Sequence, residues 1–465
     1  MQAFLYEKEE GQLKIKLPAS VKMVIDSLEA RGYEAYAVGG CVRDSILGRV
    51  PDDWDITTSA TPYEVKDVFQ KTVDTGLKHG TVTVLAGSHA HEVTTYRIDG
   101  EYEDSRHPKS VEFTRNLEED LRRRDFTINA MAYNDHAGLV DLYGGMQDLQ
   151  RKKIRCVGNA EERFQEDALR ILRAVRFSAQ LGFGIEKETE EAAAKLAPTL
   201  ERISAERIAV ELTKLLLSDR PEYLRRAWET GITAVVLPEF DRMMETEQNN
   251  PHHCRSVGEH TLESLSHVPA DRVLRWTMLL HDTGKPFCRT TDENGVDHFR
   301  GHGKAGVELT RKILKRLKFD NETIRQAMIL VRWHDCRMKP EERVVRRIMN
   351  RISPELFEKL MQVQYADTMA QSVYRREEKL ERIRKVQETG GKVLAEKQCI
   401  SQKDLKLNGQ DLIAMGVKPG PLMGEILKAA LREVLDEPSR NDEILLRQFA
   451  KEYLEAHRRK ESGHE

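Results

Sequence analysis

The most informative part of this chain reads Tyr36-Ala37-Val38-Gly39-Gly40-Cys41-Val42-Arg43-Asp44 and, a little further on, Asp53-Trp54-Asp55-Ile56. The pattern predicts a strand that runs into a double-glycine turn and then into a helix. Glycines let backbone amides approach phosphates closely, and a helix N-terminus favours anions. We therefore expect Gly39 and Gly40 to bind a nucleotide, with Arg43 as a cation for its triphosphate.

Asp53 and Asp55 are the candidate metal ligands of this stretch. Carboxylates two residues apart on a strand point to the same face, so both can grip a hard cation such as Mg²⁺ through oxygen. Two such ions would activate an attacking hydroxyl and stabilise a leaving pyrophosphate. Double glycines and Asp-x-Asp pairs are each common in turns and surface loops, so only their combination in this order points to nucleotidyl transfer.

Composition sets limits on the rest of the molecule. The chain has 465 residues, of which 39% are hydrophobic and 32% charged, so we expect about two to four globular domains. It contains no apolar run of about 18 residues, and its acidic start is unlike a signal peptide, so we expect a cytoplasmic protein without a membrane partner. Six scattered cysteines without a CxxC pair support neither a disulfide framework nor a cysteine zinc site.

The formal net charge of −3 does not by itself indicate a nucleic-acid partner. Such a partner would need a local basic surface, and three arginine-rich runs are candidates: Arg122–Arg124, Arg343–Arg351 and Arg375–Lys385. Each run is equally compatible with a solvated helix face, since mixed charge on helices is ordinary.

Secondary-structure signals change along the chain. Up to about residue 150, short β-rich runs alternate with helical patterns, and from about residue 160 nearly all patterns are helical. We also expect Gly390-Gly391 to interrupt a long charged helix. The predicted strands are Glu34–Val38, Thr81–Ala86, Glu92–Arg97 and Val111–Thr114, and the predicted helices include Ala19–Ala30, Thr61–Phe69, Ala168–Leu181, Thr189–Leu196, Ala205–Leu217, Pro221–Glu229 and Leu274–Leu280.

With its glycine turn and Asp53-x-Asp55, the chain resembles the polymerase-β-like nucleotidyltransferases, and among them the bacterial tRNA nucleotidyltransferase and poly(A) polymerase family, the class II CCA-adding enzymes. The stretch His91–Arg97 resembles the family strand that bears a third catalytic carboxylate, here Glu92. The stretch Arg123–Ala132 resembles the family's ribose-recognition motif. By that resemblance Arg124, Asp125 and Asn129 would read the 2′-hydroxyl of a ribonucleotide.

A third motif, Glu166-Asp167-Ala168-Leu169-Arg170, opens a helix that continues to Phe177. Asp167 and Arg170 are three residues apart and share a helical face, which in an arbitrary helix would mean a surface ion pair. In the family such a pair resembles an amino-acid template for the edges of the incoming C or A. We include Arg173 and Arg176 of the same helix among the nucleotide-binding candidates.

Two further segments match the family. The polar run Asp99–Pro108 resembles the flexible loop that switches full CCA enzymes from C to A addition, although His107 stands where the family more often has an arginine. The stretch Ser204–Leu212 resembles a motif that supports the nucleotide pocket, and we interpret it as structural.

The middle of the chain resembles the HD phosphohydrolase superfamily, because His281-Asp282 is flanked in order by further histidines and an aspartate. By that resemblance His260, His281, Asp282 and Asp367 would bind one metal ion, and His302 and His334 would contribute to a second. Imidazole and carboxylate ligands suit Mn²⁺, Ni²⁺ or Fe with an open position for water. The implied reaction is hydrolysis of a phosphoester, such as a 2′,3′-cyclic or 3′-phosphate tRNA end, and a degenerate structural domain is the alternative.

The carboxyl-terminal stretches Lys406–Leu412 and Gly416–Ile426 resemble the tRNA-binding tail of these enzymes, although a plain helical connector would look similar. The resemblance thus implies an α+β fold, with a small polymerase-β-like nucleotidyltransferase head and a mostly α-helical body that includes an HD domain. The predicted domains are the head (1–150), a helical neck with base recognition (151–245), the HD domain (246–385) and the tail (386–465).

The predicted function is template-independent addition of C, C and A to the 3′ end of tRNA, with CTP, ATP and Mg²⁺ and no obligate protein partner. The alternatives are a CC-only or A-only enzyme or a poly(A) polymerase. The uninterrupted loop favours full CCA addition, and the tail favours tRNA. A signalling HD hydrolase with a nucleotide-sensing head is disfavoured by the intact Asp53 and Asp55, and an RNA-binding module alone would leave both metal sites unexplained.

Overall fold

A computed structural model describes residues 6–9, 12–100, 111–253 and 255–462. The chain divides into two units, Met1–Asp241 and Arg242–Glu465. The domain boundaries predicted within these units stay predictions. Among the described residues, no helix combines the length and the apolar character that crossing a membrane requires, and the cytoplasmic location stays a prediction.

The strands of the first unit build one main sheet and three two-stranded pairs. They are β1 (Tyr6–Glu9), β2 (Gln12–Ile15), β3 (Ala35–Val38), β4 (Ile56–Thr58), β5 (Thr72–Gly76), β6 (Thr81–Ala86), β7 (His89–Thr95), β8 (Arg97–Asp99), β9 (Val111–Phe113), β10 (Met131–Asn134), β11 (Gly138–Asp141), β12 (Lys153–Ile154) and β13 (Gly184–Ile185). The main sheet has seven strands in the order β11-β10-β3-β4-β7-β6-β5. Only the central pair β4–β7 is parallel, so the sheet is mixed.

The helices of the first unit surround this sheet and then continue alone. They are α1 (Ala19–Glu29), α2 (Gly40–Ile46), α3 (Pro62–Val68), α4 (Leu117–Arg122), α5 (Gly145–Arg151), α6 (Ala160–Glu166), α7 (Leu169–Leu181), α8 (Lys187–Leu196), α9 (Ala205–Leu216), α10 (Leu224–Glu229), α11 (Ile232–Val236) and α12 (Pro238–Met244), whose last residues belong to the second unit. Short 3-10 turns lie at Leu77–His79, Thr127–Asn129, Ala197–Arg202 and Pro221–Tyr223.

Local sequence explains where several of these elements begin. Helix α3 starts with a complete capping box, in which the Thr61 side chain accepts from the Glu64 amide and the Glu64 carboxylate accepts from the Thr61 amide. These bonds satisfy amides that a helix start leaves without partners. Beneath the glycine turn, Val38, Leu121 and Ala132 form a buried apolar cluster that fixes α4 against the sheet.

The second unit is almost entirely helical. Its helices are α13 (Val257–Ser266), α14 (Arg272–Leu280), α15 (Lys285–Cys288), α16 (His302–Arg316), α17 (Asn321–Trp333), α18 (Glu342–Ile352), α19 (Pro354–Ala370), α20 (Arg376–Ala395), α21 (Gly409–Ala414), α22 (Pro421–Asp436) and α23 (Glu443–Ser462), with one hairpin, β14 (Thr290–Thr291) and β15 (Asp297–His298), and 3-10 turns at Gln402–Asp404 and Pro438–Arg440. One apolar core lies among α17–α20 and another among α21–α23.

One arginine in a predicted basic run turns out to be structural. The Arg346 side chain is buried, and its Nε donates to the Leu435 carbonyl at 2.8 Å while Nη1 donates to Gln398 Oε1 at 2.6 Å. These bonds tie α18 to the end of α22. Arg346 therefore stabilises the fold and does not contribute to an exposed basic surface.

The predicted interruption at Gly390-Gly391 is wrong, because α20 runs without a break from Arg376 to Ala395. Gly390 is a packing glycine: a β-carbon there would lie 2.5 Å from Cε1 of Phe357 and 3.1 Å from Cε of Met349. Close approach of two helices requires this glycine, whereas Gly391 faces open space. With a mixed sheet in the head and helices beyond it, the predicted α+β class is confirmed.

Candidate active site

Of the predicted catalytic carboxylates, Asp53 and Asp55 lie just before β4 and Glu92 lies on the neighbouring strand β7, and the three are not among the compact metal-ligand groups of the described residues. The Asp55 carbonyl accepts from the Val38 amide at 3.0 Å, so Asp55 continues the β4 ladder by one residue, and Asp53 precedes it. The parallel pairing sets Ile56 beside Val93, which places Asp55 one step along the same register, beside Glu92. Because Ile56 and Val93 are buried and side chains alternate along strands, Asp55 and Glu92 lie on the opposite, exposed face.

The electrostatics at Asp55 favour a nearby cation. Partial desolvation raises the pKa of Asp55, the nearby Arg124 opposes this shift, and the negative charge of Asp53 adds to it. A carboxylate whose pKa is raised by burial and by a neighbouring negative charge is stabilised as an anion by a nearby hard cation. Carboxylate oxygens are also the ligands that magnesium prefers, and the assignment of Asp53, Asp55 and Glu92 to magnesium stays a prediction.

Gly39 is required by the geometry of the turn. Its backbone has φ 82° and ψ −126°, and its amide donates to the Met131 carbonyl at 3.1 Å. A β-carbon at this position would lie 2.9 Å from Nη1 of Arg124. Arg124 thus covers the turn and, through its charge, connects it to Asp55. Gly40 is the first residue of α2, a helix of seven residues.

Arg43 is more firmly held than a free triphosphate ligand would be. It is buried, its Nε and Nη2 donate to the two carboxylate oxygens of Asp44 at 2.9 and 2.8 Å, and its Nη1 donates to Asn129 Oδ1 at 2.5 Å. Asn129 in turn donates to Asp125 Oδ1 at 3.1 Å. Arg43 and the ribose-motif candidates therefore belong to one hydrogen-bonded network.

Asp125 is the charged centre of that network. Arg173 donates to Asp125 Oδ2 from Nε at 2.8 Å and from Nη2 at 2.5 Å. Burial raises the pKa of Asp125, but the guanidinium of Arg173 outweighs it and holds the pKa well below its usual range. Asp125 is consequently an anion that bridges the 3-10 turn at Asn129 to helix α7.

Three arginines lie around the aromatic ring of Phe177, and the sequence did not predict this contact. The guanidinium of Arg176 lies 3.9 Å from the Phe177 ring centre, and those of Arg43 and Arg173 lie 5.1 and 5.4 Å from it. Arg176 Nε is 2.7 Å from Glu211 Oε2, and burial lowers the pKa of Arg176 to about 10. Phe177 and Glu211 were missed because nothing local in the sequence connects α7 with α9.

The surface ion pair between Asp167 and Arg170, the alternative to a role in base recognition, is not observed, and that role stays a prediction. Asp167 Oδ2 accepts from Arg207 Nη2 at 2.8 Å, and Asp167 Oδ1 accepts from the Leu169 amide at 3.1 Å at the start of α7. Arg170 instead donates to Glu166 Oε2 at 2.6 Å. The shared face fails because α6 ends at Glu166 and α7 begins only at Leu169, so Asp167 lies between two helices.

Arg207 is thus the ion-pair partner of Asp167, although it lies in the stretch Ser204–Leu212, whose predicted role is structural. Its Nη1 is buried and has no hydrogen-bond acceptor among the described residues. The predicted switching loop is a different case: its residues 101–108, His107 included, lie outside the described residues.

The second unit brings all six predicted metal ligands together. Two buried groups of three share Asp282: one has His260 and His281, and the other has His302 and His334. Asp282 Oδ2 is 3.1 Å from His281 Nε2, whereas Oδ1 is 3.5 Å from His334 Nε2. Asp367 Oδ1 completes the first group at 2.8 Å from His260 Nε2.

Backbone carbonyls orient three of these imidazoles. The Nδ1 atoms of His281, His302 and His334 lie 2.6, 2.8 and 2.7 Å from the carbonyl oxygen three residues earlier in each case. A carbonyl can only accept, so each Nδ1 carries a proton and each Nε2 is left to face Asp282 as a ligand. Nε2 of His302 is also 3.0 Å from Nε2 of His334.

The chemistry of this donor set fits a transition metal. His281 Nε2 and both Asp282 oxygens are buried without a well-formed hydrogen bond, a cost that a bound cation would remove. Burial lowers the pKa of His281, but the carboxylates of Asp282 and Asp367 outweigh it and raise the pKa to about 10. The site thus favours positive charge at its centre. Lys285 Nζ, 2.7 Å from Asp282 Oδ2, supplies some of that charge.

This cluster opens into a cavity of about 930 Å³. Its walls carry several cations besides Lys285, and Phe299 and Trp333 add aromatic surface. The cavity is therefore large enough and charged enough to receive an anionic molecule beside the cluster.

The fold and the arrangement of the head are those of a nucleotidyltransferase: a mixed sheet with a glycine turn, carboxylates just before β4 and on β7, and an arginine-rich hydrogen-bonded network. Three family profiles match the chain. They describe the poly A polymerase head domain (residues 35–155), an RNA and SrmB-binding site of polymerase A (182–244) and tRNA nucleotidyltransferase domain 2 (305–450).

Whole-length relatives identify the family. The chain is 35% identical to the CCA-adding enzyme of Leuconostoc mesenteroides over 93% of its own length and 95% of that protein, and 35% identical to that of Lactiplantibacillus plantarum over 94% and 97%. A crystal structure of the Bacillus stearothermophilus CCA-adding enzyme in complex with CTP superposes with a TM-score of 0.73 at 31% identity, covering 96% of this chain and 100% of that one. The chain belongs to the CCA-adding enzyme family.

Proposed function

We propose that this protein adds C, C and A in turn to the 3′ end of tRNA from CTP and ATP, with release of pyrophosphate. The observation that carries the proposal is the register that sets Asp55 beside Glu92, together with the backbone hydrogen bond from Val38, the residue before the glycine turn, to Asp55. That arrangement supports transfer of a nucleotide. Membership of the CCA-adding enzyme family supports tRNA as the acceptor and CTP and ATP as donors.

Asp53, Asp55 and Glu92 would hold magnesium ions. When bound, these ions polarise the attacking 3′-hydroxyl and neutralise the charge on the departing pyrophosphate. Arg124 lies over Gly39 and beside Asp55, where its guanidinium would hold a triphosphate close to the carboxylates. The neutralising charge is thus fixed before the substrate arrives, which lowers the reorganisation cost of the reaction.

Ribose and base would be recognised by the network behind the carboxylates. Asp125 and Asn129 offer a carboxylate oxygen and an amide to the 2′-hydroxyl of a ribonucleotide. Asp167 would accept from the exocyclic amine of C or A, while Arg170 donates to a ring acceptor. Arg207 would position Asp167 for that task through its 2.8 Å bond.

The test is metal-dependent incorporation of labelled CTP into tRNA that lacks its CCA end. Asp53→Ala and Asp55→Ala should each reduce the incorporation rate at least about 100-fold, as expected when a charge-stabilising catalytic group is lost. The matched control is Asp52→Ala, which removes an exposed neighbouring carboxylate. Equal rates in the Asp53, Asp55 and Asp52 variants would contradict the assignment.

Substrates that end after C, or after CC, separate the narrower alternatives. A CC-only enzyme would stop before A, an A-only enzyme would extend only the CC end, and a poly(A) polymerase would add A to any RNA. An enzyme that adds C, C and A must extend each of these tRNA substrates, one nucleotide at a time, to the same CCA end.

The second unit supports a second activity, hydrolysis of a phosphoester such as a 2′,3′-cyclic phosphate or 3′-phosphate at a tRNA end. The supporting observation is the pair of buried ligand groups that share Asp282. His260, His281, Asp282 and Asp367 would hold one ion, with His302 and His334 at a second. A bound Mn²⁺, Ni²⁺ or Fe ion would supply a Lewis acid and lower the pKa of a water molecule.

Phosphate release from 3′-AMP with added MnCl₂ tests this activity. Asp282→Ala should abolish release, whereas Glu293→Ala, which removes an exposed carboxylate, should leave the rate unchanged. Release that persists in the Asp282 variant would refute the ligand assignment. Absence of release from the unaltered protein with each of the three metals would favour a purely structural domain.

A further inference from the structure

Three cations on one wall of the second unit's cavity have no counter-charge in contact. Arg337, Lys379 and Arg382 all line the cavity that contains Asp282 and Asp367. None of the three forms an ion pair within the described ranges, whereas Arg384, Lys385 and Lys392 of the same helix α20 each pair with a glutamate. Three carboxylates act on them through space without forming an ion pair: Asp335 on Lys379 and Arg382, Asp367 on Lys379, and Glu378 on Arg382.

The positive charges of Arg337, Lys379 and Arg382 repel one another. Burial lowers the pKa of Lys379, the charge of Asp367 opposes this shift, and the charges of Arg337 and Arg382 add to it. Burial likewise lowers the pKa of Arg382, and Arg337 adds to that effect. Holding like charges together on a half-buried wall costs stability unless an anion neutralises them. A structural role would be expected to provide a carboxylate in contact, and none is present among the described residues.

The cationic wall is connected to the metal-ligand cluster through one side chain. Gln371 Nε2 donates to Asp367 Oδ2 at 3.0 Å, and Gln371 Oε1 accepts from Lys379 Nζ at 2.5 Å. Only an amide and two hydrogen bonds therefore separate a predicted metal ligand from the first cation. One small molecule could therefore place an anionic group on this wall and another group at the metal-ligand cluster.

We propose that Arg337, Lys379 and Arg382 form a subsite for a second phosphate, so that the hydrolase substrate is a nucleotide or RNA end with one phosphate at the metal cluster and another on the cationic wall. Arginines bind phosphate oxygens through paired donors, and lysine contributes a point charge. That the bound molecule is a substrate rests on the proposed hydrolase activity, whereas binding of the second phosphate does not depend on that activity.

Adenosine 3′,5′-bisphosphate and 3′-AMP are the test substrates, since they differ only in the 5′-phosphate. Phosphate release from the 3′ position is measured on the full chain with MnCl₂. In Arg337→Gln/Arg382→Gln, KM for the bisphosphate should rise at least about tenfold (about 1.4 kcal/mol), with kcat and the KM for 3′-AMP within about twofold of the unaltered protein. Arg384→Gln, an exposed arginine on the same helix that does not line the cavity, is the matched control.

An equal rise of KM for both substrates, or no rise for either, would overturn the subsite. CpCpAp, a trinucleotide with a 3′-phosphate, distinguishes the source of the second phosphate. A KM for CpCpAp below that of the bisphosphate assigns it to an RNA backbone, and a KM above that of the bisphosphate assigns it to a free nucleotide.

If neither the unaltered protein nor any variant releases phosphate, the proposed hydrolase activity is wrong, and equilibrium dialysis of labelled bisphosphate decides the subsite. Weaker binding in the double variant than in Arg384→Gln then supports it, and equal binding refutes it. The nucleotidyltransferase head is identical in these variants, so any binding there cancels.

Discussion

Replacing Gly39 by alanine should damage both the stability and the activity of the head. The backbone conformation at Gly39, φ 82° and ψ −126°, is one that residues with a side chain rarely adopt, and holding alanine there costs about 1–3 kcal/mol. In addition, the new β-carbon would lie 2.9 Å from Nη1 of Arg124, so the guanidinium must move. Because Arg124 opposes the negative charge of Asp55, its displacement should reduce productive binding of CTP.

Gly48 provides the matched control for this substitution. It also has a positive φ, 69°, but a β-carbon there meets nothing within 4 Å. Gly48→Ala should therefore lose about 1–2 kcal/mol of unfolding free energy from backbone strain alone and should bind CTP normally. Gly39→Ala should lose a similar or larger amount of stability and, in addition, weaken CTP binding at least about tenfold, or about 1.4 kcal/mol.

The assays are urea unfolding and CTP titration of both variants with MgCl₂, under conditions where each is fully folded. The loss of CTP affinity is expected from the contact with Arg124, and the loss of unfolding free energy from the strained backbone at the substituted glycine. Equal affinity losses in Gly39→Ala and Gly48→Ala would refute it, as would unchanged CTP binding in Gly39→Ala.

Three further substitutions test other contacts. Gly390→Ala should lower the unfolding free energy by about 1–3 kcal/mol, because its β-carbon meets the Phe357 ring at 2.5 Å. Gly391→Ala faces open space in the same helix and should instead gain up to about 1 kcal/mol in urea unfolding, so equal effects would argue against close packing at this point. Asp125→Asn leaves Arg173 without its charged acceptor, which should cost about 1.5–3 kcal/mol. It should also raise dCTP incorporation relative to CTP, and an unchanged ratio would exclude Asp125 from ribose recognition.

Local patterns predicted the framework of the head well. The glycine turn, the capping box of α3 and the strand around Glu92 each depend on neighbours within a few residues, and the structure has them where the spacing predicted. The sequence also placed Asp53 and Asp55 on one face of a strand, whereas β4 begins only at Ile56 and both residues precede it. What the sequence could not provide was the parallel pairing of β4 with β7, since register is a property of the assembled sheet.

Long-range partners account for the errors. Asp167 pairs with Arg207, 40 residues away, and not with the arginine three residues away, because a helix boundary intervenes. Gly390 was interpreted as a helix breaker because local propensity favours that, whereas contact with Phe357 explains it. His260 and Asp367, 107 residues apart, were grouped correctly only because a family pattern supplied the long-range information.

The central claim is that this protein extends tRNA by C, C and A in sequence. The most direct measurement incubates the full chain with MgCl₂, CTP and ATP and three tRNA transcripts, ending before CCA, after C and after CC, and resolves the products at single-nucleotide length. We expect all three transcripts to converge on the same mature CCA end, without further growth. Growth that stops at CC, runs on as poly(A), or does not occur in any transcript would contradict this expectation.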